Sequence, residues 1–392
     1  MTSIIDEYFN YTKKHKEEYG NKCIVLLMVG AFYEMYGIRE KNNQESQIFM
    51  SEIVNVCSIC DLAVKKKTHD YKKYDLFMAG FRDYSLDKYL TKITNEGYRC
   101  FIYDQFPDGK KFIRKLTNIY SPGTSFGLNN TINKNLSNNI SCIWIDILKT
   151  KLNETTLLWG FSTININTGG SNIFEYKSDN IETGVNELER YLSVYTPSEI
   201  ILIFDNSYEK EMNQYVSIIR SLTNLLNIID INNTTFADII KNCQKQTFIQ
   251  ENFKNYFEIN DYSTFIDEYS YYTLASQSFC FLLNWVYKHN VYLTEKLDEP
   301  KIEIHSKNMY LGCHSLKQLN MISENKNESV LDLLNICKTS MGKRELKQII
   351  VKPIYDISFL NKEYDIIEKL NNEYTEITQP IRNILSNVRD NQ

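Results

Sequence analysis

The 392-residue chain carries 44 Lys+Arg against 49 Asp+Glu, a formal charge of −5, with 43% apolar residues and only 14 Gly and 6 Pro. That length supports two or three domains with buried cores and excludes a disordered chain. The N-terminal stretch lacks a cationic segment followed by an apolar run, no apolar run is long enough to span a bilayer, and the nine cysteines are an odd, scattered number. These features predict an intracellular protein of a reducing compartment, with no membrane partner.

Residues 3–19 have helical spacing, with Ile4, Ile5, Tyr8 and Phe9 on one face and Gly20 as a stop. Cys23–Val29 reads as a buried strand, and Gly30 and Gly37 bracket a short aromatic segment. A helix over 48–63, a polar loop over 65–73, a strand over 76–81, a helix over 86–94 ended by Gly97, and strands over 98–103 and 112–119 follow. This alternation predicts an α/β domain with a mixed sheet over residues 1–127. The Asn-rich stretch 129–139 predicts a linker, placed at 128–140. Strands over 143–148, 157–165 and 171–176 come next, the last two joined by a turn at 167–170. A helix over 187–195, a strand over 199–204, and helices over 208–228 and 235–245 complete a second α/β domain, placed at 141–260. From 261 to 392 the spacing is helical.

Charge is unevenly spread. Residues 1–125 hold 19 basic and 16 acidic residues, a balance of +3 that leaves −8 for the remainder. A polyanion would meet the first third. Neither a GxxxxGK[ST] phosphate loop nor a GxGxxG fingerprint occurs.

Four groups of residues carry chemistry worth weighing. Cys57 and Cys60, with His69 nearby, resemble half a zinc site, but a structural site needs a second ligand pair. Their i, i+3 spacing on an apolar helix face fits core thiols, and no metal is expected. Asp146 at a strand end and Glu187 at a helix start could serve a two-metal nuclease, though acids at such positions are common. In Gly30-Ala-Phe-Tyr-Glu-Met-Tyr-Gly37 an extended backbone would put Phe32 and Glu34 on one face and Tyr33 on the other. An exposed ring can wedge into a base step from the minor groove, and a carboxylate two positions on can accept a hydrogen bond from a base edge. The same pattern also fits an edge strand with one aromatic in the core. Lys65, Lys66, Lys67, Lys72 and Lys73 suit phosphate contact or a solvated loop.

The order of segments resembles the MutS family of DNA mismatch repair proteins. Gly30–Gly37 is similar to the family's Gly-Asp-Phe-Tyr-Glu segment, and Phe77-Met-Ala-Gly-Phe81 to its Met-Ala-Gly segment. Gly97–Gln105 is similar to its Gly-x-x-Val-Ala-Ile-x-Glu-Gln strand, and Arg114–Thr124 to the close ending Thr-Pro-Gly-Thr. More weakly, 159–170, 187–201, 309–322 and 331–353 resemble connector and core segments. The resemblance implies a mixed α/β recognition domain, an RNase H-like connector and the start of a helical core. It places Phe32 at the stacking aromatic and Glu34 at the base-contacting carboxylate, with Gly30, Gly80, Gly97 and Gly123 as structural glycines. Departures are Ala31 for the acid before the Phe, Arg82 for the Pro after Met-Ala-Gly, and Asp104 for Glu.

The implied activity is binding to double-stranded DNA with mismatches or small loops, without catalytic residues. ATP and Mg would be expected only with the family's C-terminal ATPase domain, which this chain is expected to lack, so that a separate ATPase-bearing chain or repair partner would supply it. A metal-dependent nuclease on the connector and a protein-interaction remnant are the alternatives.

Overall fold

The computed structural model describes residues 4–41, 47–109, 111–125, 137–149, 155–232, 235–257, 267–303, 308–323 and 328–388. The first unit is a six-stranded mixed sheet between helices. Helix α1 (Ile4–Tyr19) leads into β1 (Cys23–Val29) and β2 (Phe32–Glu40), then α2 (Ile53–Cys60), β3 (Lys65–Lys66), β4 (Tyr74–Arg82), α3 (Leu86–Asn95), β5 (Arg99–Asp108) and β6 (Lys111–Tyr120). The strand order is β3-β4-β2-β1-β5-β6, with β1 and β5 parallel and the other pairs antiparallel. Cys23–Leu27 is buried without alternation because helices cover both faces of the sheet centre. Rings of α1 pack on one face, where Tyr11 stacks on Tyr103 and His15 on Phe101. On the other face Tyr89 of α3 meets Phe81.

The helix expected over 48–63 is shorter. Ile38 and Phe49 pair by backbone, so Ile48–Phe49 runs along the sheet before α2 begins. Within the segment expected to be a loop, Lys65–Lys66 add an edge strand to β4.

The second unit contains β7 (Asn139–Lys149), β8 (Thr155–Asn165), β9 (Ser171–Ser178), α4 (Ile181–Tyr195), β10 (Glu199–Phe204), α5 (Glu209–Leu222), β11 (Leu225–Asp230), α6 (Ala237–Cys243), α7 (Gln246–Tyr256), α8 (Thr273–His289) and β12 (Lys301–Ile302). Its strand order is β11-β10-β7-β8-β9-β12. β7, β8 and β9 form an antiparallel meander, while β10 and β11 add in parallel.

Three sequence expectations differ here. The helix placed at 208–228 stops at Leu222, and Leu225–Asp230 is the outermost strand. Of the proposed linker, 128–136 lies outside the described residues, whereas Asn138 is buried, donating to the Pro122 carbonyl, and Asn139 opens β7. The boundary at 260 falls ahead of α8, which covers the second sheet. Gly160 of β8 makes that contact feasible, since a Cβ there would lie 2.3 Å from the Leu274 carbonyl oxygen. The Glu175 carboxylate accepts the N–H groups of Leu274 (2.8 Å) and Ala275 (3.1 Å), satisfying donors of the first turn of α8.

The remaining helices are α9 (Cys313–Gln318), α10 (Val330–Leu334), α11 (Ser340–Val351), α12 (Ile357–Asn372) and α13 (Thr375–Leu385). α9 and α11 lie against α4. α12 and α13 contact each other and expose many apolar side chains, including Ile357, Tyr364 and Ile384.

The two α/β units meet across a buried polar seam. Arg99, at the start of β5, is fully buried and pairs with Glu199, at the start of β10, at 2.6 Å. The same carboxylate accepts from Asn227 Nδ2 (2.8 Å), from Ser121 Oγ and from the Gly123 N–H (3.2 Å). Tyr19 and Trp285 face the guanidinium, with ring centres 4.5 and 5.2 Å from it.

Candidate nucleic-acid interface

β1 and β2 are joined by the two-residue turn Gly30–Ala31, closed by the Val29–Phe32 pair. Gly30 has φ +62 and Ala31 no positive φ, the pattern of a type II′ hairpin turn. Two bonds fix the turn. Gly30 N–H donates to Gln105 Oε1 of β5 (3.1 Å), and the Ala31 carbonyl accepts from Asp83 N–H just after β4 (3.1 Å).

Side chains alternate along β2 as its period of two dictates. Phe32 is exposed (42%), Tyr33 is buried (6%), and Glu34 is half-buried. Phe32 and Glu34 therefore share a face at the open end of the sheet. Tyr33 points the other way, where its hydroxyl donates to Asp104 Oδ1 (2.6 Å), and Asp104 also accepts from Thr117 (2.7 Å). Burial, then the Asp104 carboxylate, raise the Tyr33 phenol well above its ordinary value, keeping it a donor.

Glu34 is oriented by its own strand. The Tyr36 hydroxyl, on the same face two residues on, donates to Glu34 Oε2, and burial followed by this carboxylate raises the Tyr36 phenol. Across the ladder Glu34 faces Gly80. A Cβ on Gly80 would stand 2.7 Å from the Tyr33 carbonyl oxygen and 3.4 Å from Glu34 Cγ, so the glycine lets the Glu34 side chain lie over β4. One carboxylate oxygen is thus engaged by Tyr36, and the other has no hydrogen-bond partner among the described residues.

The four glycines divide between two places. Gly30 and Gly80 shape the Phe32–Glu34 tip. Gly97 and Gly123 belong to the seam: Gly97, at φ +80, would bring a Cβ within 2.4 Å of the Asn224 carbonyl oxygen, and Gly123 one within 2.7 Å of Glu199 Cβ.

The five lysines do not converge on the tip. Lys66 pairs with Asp75 (2.9 Å), while the Lys72 and Lys73 ammonium groups lie over the rings of Tyr71 and Tyr74. The backbone N–H of Lys67 donates to the Leu76 carbonyl. Exposed Lys65 faces Met78, four residues along β4 from Arg82 and so about 13 Å from the tip.

Sequence reasoning overlooked Arg82. It stands opposite Phe32 across the ladder, exposed, with its guanidinium carbon 5.6 Å from the Phe32 ring centre. The departure from Pro at this position was the available signal.

The other candidates lie apart from this tip. Cys57 and Cys60 are buried in the first core, and burial pushes their thiols up to about 12 and about 11. Burial also raises the Asp146 carboxyl, and Glu187 is held by Arg190 in an ion pair. Among the described residues no three His, Cys, Asp or Glu side chains could hold a metal ion, and no helix is long and apolar enough to cross a membrane.

Two family models match parts of the chain. The model of MutS domain I matches residues 6–128, and that of MutS domain III matches residues 314–392. The chain belongs to the MutS family. A DNA mismatch repair protein mutS homolog of Acanthamoeba polyphaga mimivirus is 27% identical over 97% of this chain and 36% of its own length. The DNA mismatch repair protein MutS of Fusobacterium nucleatum subsp. nucleatum is 26% identical over 99% of the chain and 39% of its own length. That of Thermotoga neapolitana is 25% identical, over 100% and 41%. The chain thus spans about two-fifths of the length of these MutS relatives. Its first sheet, with the Phe32–Glu34 tip, lies within the domain I match.

Proposed function

We propose that this MutS-family chain binds duplex DNA containing mismatches or small loops, in DNA mismatch repair, by probing the minor groove with Phe32 and Glu34. The observation that carries this reading is the shared face of the two side chains: an exposed ring on a fixed turn, and on the same face a carboxylate whose second oxygen has no partner among the described residues. Phe32 would insert at a base step while Glu34 accepts a hydrogen bond from the displaced base. A mispaired step is cheaper to unstack and kink than a paired one, so discrimination comes from deformability as much as from contact.

The same reading takes the second unit as an RNase H-like connector. Its support is a meander of three strands extended by two parallel strands on the far side of β7. Lys65 is the lysine best placed to meet backbone phosphate, being exposed on the face shared with Met78 and Arg82. ATP hydrolysis, in this view, belongs to a MutS ATPase domain outside the 392 residues or on a partner chain. Nothing at Asp146 or Glu187 favours the nuclease reading.

The test is binding of homoduplex and single-mismatch heteroduplex by wild type and Phe32→Ala. Wild type should prefer heteroduplex, and the alanine variant should lose about 1–3 kcal/mol of that binding, the worth of one aromatic stack on a base. Equal affinities in all four combinations would refute the role.

A further inference from the structure

We propose that Arg82 is a second DNA-contacting residue, which enters the minor groove alongside Phe32 and supplies the cation that the tip otherwise lacks. The proposal rests on the reading of Phe32 as a probe, and three observations support it.

Register places Arg82 directly opposite Phe32, and its guanidinium lies 5.6 Å from the ring centre, so whatever surface receives the ring also receives the cation. Arg82 is also uncommitted: among the described residues it makes no ion pair and no hydrogen bond to a side chain, whereas the other arginine beside the turn is engaged. Arg114, across β5 from the Gly30 turn, is tied to Glu7 (3.3 Å) and to the Met28 carbonyl (2.9 Å), while Lys65 stands about 13 Å away along β4 and Lys66, farther still, pairs with Asp75. The third observation concerns charge. Glu34 sits diagonally across the ladder from Arg82, and a carboxylate brought toward a polyanion needs a cation close by. Arginine suits this place better than lysine, because a planar, weakly hydrated guanidinium can lie against a ring and enter a narrow, electronegative groove.

The shared chemistry of the target is an array of acceptors, either backbone phosphate oxygens or the A·T base-edge acceptors of the groove floor. Both are reached from the same side, and the experiment separates them.

Binding of the full chain to short fluorescent duplexes is measured between 50 and 200 mM salt for wild type, Arg82→Gln, Arg82→Lys and Phe32→Ala. Thermal melts confirm folding, which the exposed position of Arg82 should leave unchanged. Arg82→Gln is expected to weaken homoduplex and heteroduplex binding by about 5- to 10-fold and to lower the slope of log K against log salt by about 1, and Arg82→Lys to restore part of the slope. A loss independent of flanking sequence assigns the contact to phosphate, and a larger loss beside A·T pairs assigns it to the groove floor. Wild-type affinity and slope in Arg82→Gln, with the heteroduplex preference intact, would overturn the proposal and leave the Phe32 reading standing. Absence of any heteroduplex preference in wild type would instead remove that reading, while the homoduplex slope still decides for or against Arg82.

Discussion

Replacing Glu199 should damage the protein more than replacing Arg99, although the two form one ion pair. The carboxylate accepts four bonds, from Arg99, Asn227, Ser121 and the Gly123 N–H. Glu199→Ala removes the acceptor for all four and leaves a fully buried guanidinium without an anion, a loss of at least about 3–5 kcal/mol. Arg99→Met leaves three donors on the carboxylate. It also relieves two guanidinium nitrogens that lack a hydrogen-bond partner and places an adaptable apolar chain between Tyr19 and Trp285. It too leaves a buried charge without its partner, but the three remaining donors still hold the carboxylate, so its cost should lie near the lower end of the same range, about 3 kcal/mol. Urea unfolding followed by tryptophan fluorescence suits the comparison, since Trp285 lines the seam and reports its opening. The expected result is a larger drop in midpoint for Glu199→Ala at unchanged m value. Equal losses, or a larger loss for Arg99→Met, would refute the account of the carboxylate as the organising group.

Two further outcomes follow from the same structure. Gly20 and Gly97 have nearly the same φ, +82 and +80, but a Cβ at Gly20 meets nothing within 4 Å whereas one at Gly97 collides with Asn224. Gly20→Ala should therefore cost about 1–2 kcal/mol, the left-handed penalty alone, and Gly97→Ala clearly more; equal midpoint shifts in urea would contradict the contact. Acid should also weaken the fold. Burial, with Lys14 next for His15 and Arg99 next for His289, lowers both imidazoles from 6.5 to about 3. Between pH 3 and 6.5 the unfolded chain binds more protons than the folded one, so stability falls as pH falls through that window. At pH 5 each histidine should cost about 2 kcal/mol relative to pH 7. His289→Gln should remove about half of the dependence, and a urea midpoint equal at pH 7 and pH 5 would contradict it.

What the sequence revealed depended on whether a signal was local. Cys23–Val29 and Glu199–Phe204 were read to the residue because continuous apolar runs ended by polar or Gly residues admit few alternatives. The common face of Phe32 and Glu34 followed from the period of a strand. Leu225–Asp230 was lost to the preceding helix because Thr223–Asn224 offers no glycine or proline to mark the break. α8 is apolar almost all round, which announces burial but not the sheet that it covers. The seam was invisible for a different reason: Arg99 and Glu199 lie 100 residues apart, and each alone reads as an ordinary surface charge. Lys65–Lys66 read as loop because their pairing to β4 uses backbone groups, which carry no side-chain signature.

Strand β5 joins the two polar clusters. It starts at Arg99, bolted to the second unit, and six residues later offers Gln105 to the Gly30 turn, with Asp104 holding Tyr33 beside it. At about 3.3 Å per residue this is a rod of about 20 Å with no glycine in it. The strand is continuous between the two clusters, with one irregularity in its pairing to β6 at Ile102/Tyr103, so a load passed from the Phe32 turn to Gln105 has a direct covalent path to the seam. A duplex that kinks around the ring would therefore apply torque through β5 to Glu199 and the start of β10. On the proposed reading of Phe32, the seam would be the anchor against which that load is borne.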